Sequence, residues 1–301
     1  MFKEIENDDK PIFISFSFGE TSAFLLWLTL QYYKGKREII VLFANTGQEN
    51  EETLIFGKKC AEHFGVEVIW LEAEIDLRYR VGVKHRIVNF ETAERDGKTF
   101  EKMISKLGIP NIENQYCTRD LKKYPMEHYL KTIGYKKDDY HTLIGIRADE
   151  IDRIGGYVYP LVRLGITKKH INKFWSNMPF RLELKGYQGN CKWCYKKSLR
   201  KHLTNINENP AYYEFPKLME ATYETFVNET RLKKLKKEGK EIKLPIRFFR
   251  NNLSVSDLVE MAKDFSDFAK DDSLDTSYQT SIVNGFELDV SNGCVESCEI
   301  Y

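Results

Sequence analysis

Three short, mainly apolar runs, at residues 11–17 (PIFISFS), 38–44 (EIIVLFA) and 66–71 (VEVIWL), alternate with stretches of helical spacing at 21–34 and 51–64. A strand with one wet face alternates apolar and polar residues, whereas an unbroken run is buried on both faces. Buried strands joined by helices make a parallel sheet covered on either side. Gly65 stands where the second helix needs a left-handed C-terminal cap. A further run at 141–146 (HTLIGI) reads as another buried strand, and 100–107 and 121–133 read as helices. Beyond that, 167–175, 210–237 and 255–268 carry helical patterns, and no strand signal of comparable strength recurs. The expected fold is α/β, a doubly wound, mostly parallel sheet with a mainly helical C-terminal region. Its division falls into residues 1–165 for the α/β domain and 166–301 for the helical region.

Composition narrows the function classes. The chain is 42% hydrophobic and 30% charged, enough for a real core. Its longest apolar runs, such as 23–28, are six residues, against the roughly 20 that a membrane span needs. The polar, acidic start (MFKEIENDDKP) is unlike a secretory signal, so a cytoplasmic protein without a membrane partner is expected. Lys and Arg (46) nearly cancel Asp and Glu (45), so no global field marks a nucleic-acid binder. Six cysteines in 301 residues are too few for a disulfide scaffold.

Residues 15–22 (SFSFGETS) close the first strand and open the first helix. Backbone N–H groups, small hydroxyls and a helix N-terminus there suit a phosphate. The plainer reading is a strand-to-helix turn with hydroxyl caps. Neither a Walker A loop nor a dinucleotide Gly-x-Gly-x-x-Gly is present. The turn Asn45-Thr46-Gly47 follows the second strand, where a doubly wound fold meets a nucleotide, and Glu49 beside it could hold a hydroxyl or Mg2+. Arg119 and Lys122 are three apart on an expected helix, hence on one face. With Arg147 they would make an anion cluster; singly, each reads as a solvated charge.

These blocks, taken in order, resemble a known family. The segment 15–22 resembles the SGGxxS loop of the adenine nucleotide alpha-hydrolase-like (PP-loop) superfamily. It is closer still to the phosphoadenosine phosphosulfate (PAPS) reductase-like proteins of phages and mobile elements. FANTGQENEETLIF (43–56), YCTRDLK (116–122), GIRADE (145–150), YPL (159–161) and GNCKWC (189–194) continue the likeness. The resemblance implies a cofactor site of Ser15, Ser17, Gly19, Glu20, Thr21, Ser22, Asn45, Thr46, Gly47, Glu49, Gly145 and Arg147. It would take ATP with Mg2+, or PAPS or adenylyl sulfate. Phe18 and Glu20 depart from the pattern, standing where the family usually has Gly and a basic residue. A carboxylate beside a phosphate needs either a bridging Mg2+ or a side chain turned out to solvent.

The resemblance also bears on the cysteines. Adenylyl-sulfate reductases hold a [4Fe–4S] cluster with a Cys-Cys pair and a distant C-x-x-C. Here Cys117, Cys191 and Cys194 would be three metal ligands, with Tyr116 in the first position of the pair. An iron would be left open to sulfide or substrate. Rival readings are Zn2+ with Cys294, Cys298 or His202 as fourth ligand, a redox dithiol, or plain buried thiols.

The function implied is adenylation of a substrate followed by sulfur transfer, with Arg119 and Lys122 steadying the phosphates. The acceptor would be tRNA or DNA, served by a sulfur-donor or reductant protein. One alternative is reduction of PAPS or adenylyl sulfate by Cys298. Another is a non-catalytic nucleotide-binding or partner-binding member with an altered loop. Residues 231–243 form a basic run that reads as a solvated helix end or a phosphate-backbone contact. Tyr212, Tyr213 and Phe215 read as core, and the six histidines form no spaced metal pair.

Overall fold

The structure is a computed structural model that describes residue 2 and residues 5–276. Strand β1 (Ile12–Ser15) is followed by helix α1 (Glu20–Tyr33), β2 (Ile39–Asn45), α2 (Glu51–Phe64), β3 (Ile69–Glu74) and β4 (Lys84–Val88). Helix α3 (Lys98–Leu107), a π-helical stretch (Cys117–Lys123), α4 (Tyr124–Thr132) and β5 (His141–Leu143) complete the sheet region. Then come α5 (Pro160–Arg163), α6 (Lys168–Ser176), α7 (Leu199–Glu208), α8 (Glu214–Tyr223), α9 (Glu229–Lys237) and α10 (Val255–Lys263).

The five strands lie in the order β4-β3-β2-β1-β5. All neighbours are parallel except β3 and β4, which run antiparallel. The sheet is doubly wound, as its strand composition requires. Ile12, Ile14, Val41 and Phe43 face α1, α2 and α6, while Phe13, Ile40, Leu42 and Ala44 pack on Met126 and Leu130 of α4. Every residue of β1 is buried, which explains its unbroken apolar run.

The sequence order breaks between β1 and β5, so the carboxyl ends of these strands form the crevice where such sheets take ligands. The C-terminal helices build a second core around Trp193, Tyr195, Phe248 and Leu258. Ile171 and Trp175 of α6 instead belong to the core of the sheet.

Three local expectations are corrected. β4 was not expected; as an edge strand it leaves most of its side chains exposed, so no apolar run marks it. The stretch 210–237 is not one helix but a short 3-10 turn, α8 and α9, with Asn228 capping α9 by accepting from the Arg231 N–H. The helix over 121–133 is a π-helical turn running into α4. His85 and His128, from β4 and α4, meet with their Nδ1 atoms 2.7 Å apart.

Candidate functional site

The Phe16 N–H donates to Leu42 O at 2.9 Å and extends the pairing of β1 one residue. The chain then turns at Phe18, whose φ of 60° lies in the left-handed region that bulky residues avoid. The Phe18 ring does not face the loop. It is fully buried, stacked on Phe43 at 3.7 Å between centroids, and lies directly above Gly57 of α2.

With the ring in the core, the loop from Ser17 to Ser22 presents small groups. The Ser17 and Ser22 hydroxyl oxygens are 3.0 Å apart, and Ser22 Oγ donates to Gly19 O at 3.0 Å. Gly145, following β5, closes against the first turn of α1. A Cβ there would stand 2.9 Å from Ser22 Cα, so only glycine permits the approach. Arg147 reaches over to donate to Thr21 Oγ1 at 3.2 Å. A helix N-terminus, two hydroxyls and an arginine thus meet at the switch point of the sheet. This is the arrangement that binds phosphate.

Glu20 does not turn out to solvent. Its carboxylate is gripped by Arg181, Nε and Nη2 lying 3.0 and 3.1 Å from its two oxygens, and both side chains are largely buried. Burial pushes the Glu20 carboxyl up from its ordinary range, and Arg181 opposes that rise. Trp175 Nε1 donates to Glu20 O at 3.0 Å and fixes the start of α1 to α6. The loop therefore carries a neutralised pair rather than a bare negative charge.

At the second turn, Glu49 folds back to accept from the Thr46 N–H and hydroxyl, each at 2.9 Å. Lys122 Nζ lies 3.7 Å from Glu49, with both side chains buried. Asn45 donates to Glu72 at 2.6 Å and to Glu94 O at 2.8 Å.

The expected one-face pairing of Arg119 and Lys122 is corrected. They sit on a π-helical turn, where residues three apart do not stack. Lys122 points to buried Glu49, while Arg119 pairs with Asp120 at 2.7 Å and lies over the Tyr116 and Tyr124 rings. Arg147 likewise pairs with Asp149 at 3.0 Å. Each of the three cations has its own carboxylate; for the largely buried Lys122 and Arg147 an unpaired charge would be costly.

The block 189–194 is stitched onto this turn. The Asn50 N–H donates to Asn190 O at 2.9 Å, Lys192 N–H to Gln48 O at 3.0 Å, and Trp193 Nε1 to Gln48 Oε1 at 2.6 Å. Asn190 Nδ2 in turn donates to Ser17 O at 2.9 Å, and a Cβ on Gly19 would stand 3.1 Å from that amide. Cys191 and Cys194 are buried and pack on each other, above the buried Lys197, whose Nζ donates to Cys191 O. Cys117 Sγ lies 3.4 Å from the Tyr195 hydroxyl.

Cys117 thus adjoins Tyr195, the residue after the C-x-x-C. Among the described residues no three histidine, cysteine or acidic side chains converge into a group that could hold a metal ion. The three cysteines as placed do not fit a closed zinc or cluster site. His202 does not complete one: its Nδ1 is 2.7 Å from the Tyr213 hydroxyl. Burial, with Lys197 and Arg250 nearby, holds its pKa well below the usual histidine value, surroundings that disfavour a cation. Cys294 and Cys298 lie outside the described residues.

Sequence reasoning missed Arg181, Asn190 and Gln48. No motif marks Arg181. Asn190 and Gln48 lie inside blocks already noted, but their mutual docking has no local signature.

The fold and loop define a doubly wound α/β protein with its ligand crevice between β1 and β5. A family model of the phosphoadenosine phosphosulfate reductase domain matches residues 11–153. The chain belongs to this family. It is 31% identical over 196 residues to an uncharacterised nin-region protein of Escherichia phage lambda, covering 62% of this chain and 67% of that one. It is 29% identical over 145 residues to an uncharacterised protein of Methanocaldococcus jannaschii, covering 48% of this chain and 24% of the archaeal protein.

Proposed function

We propose that this chain is an adenine-nucleotide-dependent enzyme that binds MgATP with its phosphates on the Ser17–Ser22 loop and adenylates an acceptor. The observation that carries this reading is the approach of Gly145 to Ser22, which brings the end of β5 onto the N-terminus of α1. An acceptor oxygen attacks the α-phosphorus, the bond to the bridging oxygen breaks, and pyrophosphate leaves. Arg147 and the α1 N-terminus stabilise charge developing on the phosphates. A sulfide equivalent from a sulfur-donor protein then displaces AMP from the acceptor, exchanging its oxygen for sulfur.

The cysteine set is given no step, since Cys117, Cys191 and Cys194 do not close on a metal. Iron and zinc counts on anaerobically prepared protein, repeated for Cys191→Ala and Cys194→Ala, test the [4Fe–4S] expectation directly. Against a non-catalytic reading stands the way both departures from the loop pattern are absorbed. Phe18 turns into the core, and Glu20 is neutralised by Arg181. An ATP–pyrophosphate exchange assay with candidate acceptors tests the proposal. Exchange supports adenylation, and ATP binding with no exchange for any nucleic-acid acceptor refutes it.

A further inference from the structure

Helix α9 and the loop before β4 form a single basic face, joined where Lys233 of α9 meets the Tyr79 ring of the loop. None of the α9 side chains is buried. The Tyr79 ring, 50% exposed, lies 5.1 Å from the Arg80 guanidinium and 5.4 Å from the Lys233 ammonium. Arg80 holds a left-handed φ of 59°, a conformation that L side chains rarely adopt.

The acids on this face are already taken up: Asp76 pairs with Arg78, Glu229 with Lys233, and Glu238 with Lys234 and Lys240. Such exposed pairs are weak and exchange readily for a polyanion. The face runs on to Tyr116 and the π-helical turn. Lys106 ties the loop to α3 through Asp76 O and Val81 O, and Asn228, capping α9, reaches the Tyr116 hydroxyl at 3.4 Å. Tyr116 lies under Arg119 and adjoins Cys117.

We propose that this face binds a single-stranded nucleic acid, with phosphates on Arg80 and Lys233 and a base stacked on Tyr79, leading the strand toward Tyr116 and Arg119. Cations along a groove with an exposed aromatic ring are the elements of single-strand binding. A duplex hides the base faces that Tyr79 would use. The role of the strand as acceptor rests on the adenylation reading; its binding does not.

The test is fluorescence anisotropy of the full chain with labelled single-stranded DNA, single-stranded RNA and duplex DNA across a salt series. Single strands should bind in preference to duplex, and the RNA and DNA arms identify the natural strand. The paired change Arg80→Ala with Lys233→Ala should flatten the log–log salt slope by about 1.4, the contribution of two phosphates. Tyr79→Leu should weaken binding roughly tenfold at unchanged slope, and Tyr79→Trp should restore it. ATP affinity, measured in the same variants by calorimetry, should not move, which shows that they are folded. Absence of binding at low salt overturns the proposal. So does equal binding of heparin and duplex with no effect of Tyr79→Leu. Strand binding by a protein that fails in pyrophosphate exchange leaves this proposal standing and removes adenylation alone.

Discussion

Arg181 closes on both carboxylate oxygens of Glu20, across 161 positions of sequence, at the first residue of the helix that faces the ligand crevice. On the proposed reading of this loop, this pair decides whether it can accept a phosphate. An uncompensated carboxylate about 5 Å from a phosphate costs roughly 3 kcal/mol at an effective dielectric of 20, or about a hundredfold in affinity.

Arg181→Met is therefore expected to weaken ATP binding by up to about a hundredfold, and Glu20→Gln in the same chain to recover most of the loss. Calorimetry on both single variants and the double variant measures the coupling. Additive effects would show that Arg181 does not act through Glu20. The pH dependence follows from burial. With Arg181 gone, the Glu20 carboxyl rises further, and a raised folded-state pKa favours the protonated form. The stability deficit of Arg181→Met should then shrink as pH falls through the carboxylate range and grow as pH rises.

Gly145→Ala places a Cβ 2.9 Å from Ser22 Cα, backbone against backbone, so the strand end must retreat from α1. ATP affinity should fall roughly tenfold or more, because displacements of this size at a binding constellation are costly. Gly19→Val meets the Asn190 side chain instead and should also weaken ATP binding. Unchanged affinity in Gly145→Ala would remove the loop from the nucleotide site.

Phe18 is held in a strained conformation for the sake of its ring. Replacing it by Gly relieves about 1–2 kcal/mol of left-handed strain but forfeits about 3–5 kcal/mol of buried phenyl. The net change expected is destabilising, by about 2–3 kcal/mol in urea unfolding. Gly57→Ala drives a Cβ to 2.2 Å from that ring and should cost about 1–3 kcal/mol. In a Phe18→Gly background the same substitution should be nearly neutral, since its obstacle is gone.

His202 is buried and kept neutral, its pKa held well below the usual value by burial first and by Lys197 and Arg250 after it. The unfolded chain binds this proton more readily, so stability is lost as pH falls below about 6.5, the ordinary histidine value. His202→Gln, which cannot titrate, should show a shallower loss of stability between neutral pH and pH 5. An identical slope in both proteins would place the acid sensitivity elsewhere.

The parallel strands were legible because burial on two faces leaves a mark that is local in sequence: PIFISFS and EIIVLFA have no polar side. The turns after β1 and β2 were legible for the same reason, since both follow directly from a strand end. β4 escaped notice because an edge strand with exposed side chains carries no apolar run. The partner of Glu20, the inward turn of Phe18, and the docking of Asn190 on Ser17 and of Trp193 on Gln48 had no local trace. Hydrophobic periodicity is a property of neighbours along the chain, and it determined the sheet. Contacts that shape the site, such as Glu20 with Arg181, Ser17 with Asn190 and Thr21 with Arg147, join residues more than a hundred positions apart, and only the folded chain brings them within hydrogen-bonding distance.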